Sequence, residues 1–238
     1  MYQSVTGVAL RTIKHSDRSS ILSLWTSELG RISVTVPADS GRRAARTRAL
    51  TMPLSPLCLE VDVRPDRSIF NFRELRPAVL IPGIGREPAK AMTAMFLADF
   101  LEVCLRDQQP DRLMTAFIVD SIQLFDALPR EAALNFHIYF LLRLARFFGI
   151  EPDWSEPGTL FDLREGHFRL SAPLHSQFLD EASTAALHAL SRINTRNLRL
   201  FRFTRQQRRD IINHLLLYYT LHHRPVLSLP SMAVITEM

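Results

Sequence analysis

Lysine is almost missing from this chain of 238 residues: with Lys14 and Lys90 the only two, 27 of the 29 basic residues are arginine. Cysteine is as scarce. Cys58 and Cys104 stand far apart with no CxxC, which leaves no disulfide framework and no paired thiolates for zinc, so no metal site is expected. No apolar run approaches the roughly 18–20 residues that a bilayer-spanning helix needs. The opening MYQSVTGVALRTIKHSD has no basic region followed by an apolar one, as a secretory signal would. The expectation is a cytoplasmic protein. GxSxG, HExxH, GxxxxGK[ST] and GxGxxG are absent as well. Gly83-Ile84-Gly85 follows Pro82 and reads as a turn. With no evident acid–base pair, no catalytic residue, no cofactor and no enzymatic activity are expected.

What is present is a packed core and a localised charge. Hydrophobic residues make up 47% of the chain and charged ones 22%, with a formal net charge of +5. Residues 1–78 hold 12 basic and 7 acidic residues, while 79–150 and 151–238 are each within one charge of balance. Arginine forks bind phosphate in bidentate fashion and stack on bases. A localised basic face is the electrostatic footprint of a nucleic-acid binder. A GC-rich genome also favours arginine over lysine, so the bias has two readings.

Along the chain, 3–13, 20–26 and 31–36 alternate like strands with one buried face. Gly7 marks a bulge or a close backbone approach. The stretch 34–57 then carries Arg42, Arg43, Arg46 and Arg48 with no acid between Asp39 and Glu60, and reads as a flexible basic loop. Further strands are expected over 53–64 and 69–75. Five strands joined by short turns suit a small oligonucleotide-binding (OB) barrel.

A Pro- and Gly-containing linker over 77–88 leads into a helical pattern. Helices are expected over 89–106, 112–128 and 131–148, the last capped by Gly149. A small hairpin is expected within the irregular stretch 151–173, then helices from His175 and from Thr204. Thr204 and Gln207 fit a capping box. The tail after Pro225 reads as extended. The fold class is therefore α+β, with an OB-fold DNA-binding domain over 1–80 and a helical domain over 81–238.

The basic loop is the leading site, with Arg11, Lys14, Arg18 and Arg31 placed to join the same surface. Such contacts give salt-sensitive, sequence-independent affinity. Trp25, Phe70 and Phe72 are better read as core than as stacking platforms, because aromatics at alternating strand positions usually face inward. Arg205, Arg208 and Arg209 open the last helix against its dipole. Arg143, Arg146 and Phe147 form a weaker candidate for an acidic, apolar-ended partner peptide. His214 and His222 lie two turns apart, too far to share an ion.

The order of features resembles the RecO family of bacterial recombination and repair proteins. The segments that carry the likeness are GVALRTIKHSDRSSILSLWTSELGRISVTV, LTMPLSPLCLEV, IFNFREL, LNFHIYFLLRLARFFGIEPDW and RRDIINHLLLYYTLHHRPVLSLPSM. The resemblance implies an OB barrel followed by a helical domain. It also implies binding of single- and double-stranded DNA, annealing of complementary strands, and work with RecR to load the RecA recombinase onto strands coated by single-strand-binding protein. It places DNA contacts on Arg11, Lys14, Arg18, Arg31 and Arg42 to Arg48. Many members carry two CxxC pairs after the third helix. Here 151–173 has no cysteine, which implies a zinc-less member whose hairpin is held by packing alone. Two rivals stand beside this reading: a non-catalytic protein-interaction adaptor with an incidental basic loop, and a metal-dependent nuclease with a dispersed carboxylate site.

Overall fold

The computed structural model describes residues 2–155 and 157–236. The chain forms two compact units, Met1–Ala127 and Leu128–Met238. In the first, β1 (Tyr2–Lys14), β2 (Ser19–Thr26), β3 (Gly30–Pro37), α1 (Arg42–Leu50), β4 (Pro56–Asp62), β5 (Ile69–Phe70) and β6 (Phe72–Pro77) follow one another. The sheet order is β5-β3-β2-β1-β4-β6. Its two ends, β5 and β6, are one run interrupted at Asn71, whose carbonyl accepts the Asp62 amide at 2.9 Å. That run pairs with β3 in parallel at its start and with β4 antiparallel beyond it. The sheet therefore curls back on itself, and the expected OB-like architecture is the one observed.

Period-two patterning fills the inside. Val5, Ala9, Leu22, Leu24, Val34 and Leu57 belong to one buried cluster. β1 serves two neighbours, pairing β4 with its first half and β2 with its second, and a bulge between Ala9 and Arg11 separates the registers. Gly7 is the close approach rather than the bulge: a Cβ there would lie 2.1 Å from the Trp25 carbonyl oxygen.

The outer face of β2 is covered too. α2 (Pro82–Arg86), α3 (Pro88–Cys104) and α4 (Arg112–Ala127) complete the first unit. Trp25 is fully buried and its indole N–H donates to the Thr115 hydroxyl at 2.9 Å. Ser23 donates to the Glu102 carboxylate at 2.6 Å. Trp25 is thus core, and Phe70 and Phe72 pack partly buried against the barrel cluster. The stretch read as a linker contains α2, whose Ile84 amide is accepted by Asp126 at 2.7 Å.

The second unit holds α5 (Arg130–Ala133), α6 (Phe136–Leu144), a 3-10 turn at Ala145–Phe148, β7 (Leu160–Asp162), β8 (His167–Arg169), β9 (Phe178–Leu179), α7 (Glu181–Leu190), α8 (Arg205–His222) and α9 (Met232–Thr236). Gly149 caps the turn with φ 67°, and the Thr204–Gln207 capping box is formed in both directions. Three expectations are corrected. The single helix over 131–148 is broken before α6, where the buried Asn135 amide donates to the carbonyls of Leu198 at 3.1 Å and Phe201 at 2.7 Å. The helix expected from His175 starts at Glu181, because Asp180 accepts the Ser183 amide as its cap; that bond also holds the Asp180 carboxyl below its usual range. The tail turns into α9 rather than staying extended.

The hairpin forms as expected, as β7 and β8, but packing does not act alone. The Asp162 side chain is fully buried, and its Oδ2 pairs with Arg169 Nε at 3.2 Å and His175 Nε2 at 3.3 Å. Its Oδ1 accepts the amides of Arg164 and Glu165 at 2.9 and 3.1 Å. One carboxylate thus ties together the turn, β8 and the segment leading to β9.

Candidate nucleic-acid interface

The stretch read as a flexible loop is a helix over nine of its residues. Arginine, alanine and leucine are strong helix formers, and RRAARTRAL contains little else. Ala44 and Thr47 are its buried residues, and α1 rests against β3 and β6. At about 100° per residue, Arg42, Arg46 and Arg43 fall within an arc of roughly 100° that lies to one side of the buried Ala44 and Thr47. All three are exposed and, among the described residues, make no ion pair. There is no acid in the first turn, so the arginines add to the positive end of the helix dipole. Arg48 stands apart, donating to the Asp39 carbonyl at 2.9 Å.

The other expected members divide. Arg11 is exposed on β1 just past the bulge. Lys14 is exposed and paired with Asp17 at 3.2 Å, a surface pair with little hold on its charge. Arg18 is exposed in the β1–β2 turn, and its backbone carbonyl accepts the Ala38 amide at 3.0 Å. Arg31 goes elsewhere: its guanidinium is ion-paired with Glu102 of α3. A sequence reading could not see this, because the acid lies 71 residues away. Two further arginines are exposed nearby. Arg73 and Arg76 are exposed on β6, the strand that α1 rests on. Their alternation with Glu74 and Leu75 hid them, although they belong to the same basic excess.

In the second unit, Arg143 donates to the Ile193 carbonyl and Arg146 pairs with Glu151 at 3.0 Å. Phe147 is half-buried beside them. An open groove of about 610 Å³ lies elsewhere, lined by Pro129, Leu134, Phe201, Phe203, Arg199 and Arg202 among others. Arg208 borders it and donates to the Phe203 carbonyl at 2.7 Å. Burial lowers the Arg208 pKa. Burial, with the Arg208 charge adding to it, holds His137 down to about 3.

No group of three or more His, Cys, Asp or Glu side chains among the described residues is placed to hold a metal ion. No described helix is long and apolar enough to cross a membrane.

The family model for the C-terminal part of recombination protein O matches residues 86–230, more than half of the chain. The chain belongs to the RecO family. It is 31% identical over 240 residues to the DNA repair protein RecO of Phocaeicola vulgatus, covering 100% of this chain and 99% of that one. The RecO of Bacteroides fragilis is 31% identical over 241 residues, with the same shares covered. That of Porphyromonas gingivalis is 30% identical over 224 residues, 92% and 91% of the two chains. RecO proteins are proteins of DNA repair and recombination.

Proposed function

We propose that this RecO family member binds single- and double-stranded DNA through the α1 face of its first unit, anneals complementary strands, and acts as a mediator. In that role it works with RecR to load RecA onto strands coated by single-strand-binding protein. The observation that carries the reading is the uncompensated arginine arc on a helix inserted between β3 and β4 of an OB-like sheet. Arg42, Arg43 and Arg46 form its centre, and Arg11, Lys14, Arg18, Arg73 and Arg76 extend the positive surface. Arg31 is left out because Glu102 neutralises it. Neutralising phosphates along this surface releases counterions from both strands and reduces their mutual repulsion, which is what annealing needs.

For an acidic partner segment such as one on single-strand-binding protein, the groove beside Phe201, Phe203, Arg199 and Arg202 is better placed than Arg143 and Arg146. Those two already have acceptors, whereas Arg199 and Arg202 are exposed.

Annealing of two labelled complementary oligonucleotides across a salt series tests the proposal. The wild-type chain should accelerate annealing, and Arg42/Arg43/Arg46→Ala should lose most of the acceleration. Equal acceleration by both proteins would move the DNA surface away from α1. No acceleration by either would favour the adaptor reading, and metal-dependent cleavage of the strands would favour the nuclease reading.

A further inference from the structure

At the C-terminal end of α1, still within the first unit, lies an open groove of about 380 Å³. Its floor includes Leu10, the bulged residue of β1, which is 2% exposed. Arg11 and Arg48 line it from β1 and α1. Met52 and Met95 line it too, and they are 55% and 45% exposed. Asp99 also lines it, one helical turn after Met95 on α3.

This combination is unusual for a surface that meets only phosphate. Two exposed thioethers make good contacts with aromatic rings and none of note with a phosphate. A carboxylate among phosphate-binding arginines repels the backbone. It becomes favourable only where it accepts hydrogen bonds, and the exocyclic amine of a base is such a donor. Arg11 and Asp99 make no ion pair among the described residues, so both remain available.

Resting on the DNA-binding reading above, we propose that this groove takes one unstacked nucleobase bearing an exocyclic amine. The base lies against Met52 and Met95, its amine donates to Asp99, and the flanking phosphates sit on Arg11 and Arg48. A paired duplex cannot present such a base, so the groove favours single strands. Thymine has no exocyclic amine, so the groove discriminates against it.

Anisotropy titrations of the full chain with oligo(dC), oligo(dT) and a duplex, at one salt concentration, test this. Asp99→Ala should lower the ratio of oligo(dC) to oligo(dT) affinity roughly tenfold, the size of one charge-assisted hydrogen bond. Asp99→Asn should move the ratio the same way, because its amide also donates to thymine. Met52→Ala with Met95→Ala should weaken both homopolymers by about fivefold or more and leave the duplex unchanged. A ratio that neither Asp99 variant moves overturns the proposal, as does equal weakening of single strands and duplex by the methionine pair. If wild type binds DNA in a salt-dependent way while the ratio does not respond, the groove assignment fails and the DNA-binding reading stands. If wild type binds no DNA, both fall.

Discussion

In the first unit, Arg42, Arg43 and Arg46 stand on one arc of α1 with no ion pair among the described residues. In the second unit, Arg143, Arg146 and Arg169 are each tied down, to the Ile193 carbonyl, Glu151 and the buried Asp162. The residue type is the same and the use is opposite. An arginine bias in composition therefore says little about function until each guanidinium's partner is known. The first unit shows this internally: Arg31, on a strand of the same sheet, is held by Glu102 just as Arg169 is held by Asp162.

Removing an acceptor should erase the difference. Asp162→Ala leaves Arg169 and His175 without their carboxylate and two turn amides unpaired. The second unit should lose about 3 kcal/mol, the lower end for breaking a buried pair because Arg169 is partly solvated, as read by urea unfolding. A loss below about 1 kcal/mol would show that packing alone holds the hairpin.

A second acceptor lies in the first unit. Glu102→Ala should cost about 2 kcal/mol through the unpaired Arg31 and Ser23, and the urea midpoint reads it. It also returns one positive charge to the barrel, so single-strand affinity should rise rather than fall.

Acid probes the second unit without mutation. His137 is held near 3 when folded, while an unfolded histidine titrates near 6.5. The unfolded state therefore takes up this proton first. The contribution of His137 to stability is full above about pH 6.5 and declines as pH falls toward 3. About 2 kcal/mol should be lost between pH 7 and pH 5, and His137→Leu should flatten that part of the profile. Smaller still, Thr204→Ala removes half of the capping box on α8 and should cost about 1 kcal/mol, seen as a modest drop in thermal midpoint. Arg42/Arg43/Arg46→Ala should change stability by less than about 0.5 kcal/mol, since these side chains are exposed and alanine is the better helix former.

Much of this was legible in the sequence where a local rule governs. Alternation in Ile32, Val34 and Val36 marked β3, Gly149 marked a helix end, and Thr204 with Gln207 marked a helix start. The basic stretch was visible, but its helix was not, because the charge of RRAARTRAL obscured two buried positions, Ala44 and Thr47. Long-range pairings had no local sign. Arg31 resembles Arg11 in sequence and only the fold sets Glu102 against it, Asn135 gave no hint that it would break a helix to reach Leu198 and Phe201, and nothing local set Asp162 apart from other strand residues. The groove was invisible for the same reason: Arg11, Arg48, Met52 and Asp99 meet only once β1, α1 and α3 are packed.

Whether the α1 arc supplies the DNA contacts is read most directly from the salt dependence of single-strand binding, by the wild-type chain and by Arg42/Arg43/Arg46→Ala. The variant should bind more weakly, with a plot of log affinity against log salt shallower by about 2, three contacts at about 0.7 each, and with an unchanged unfolding midpoint. Parallel plots of equal affinity would show that the arc does not touch DNA.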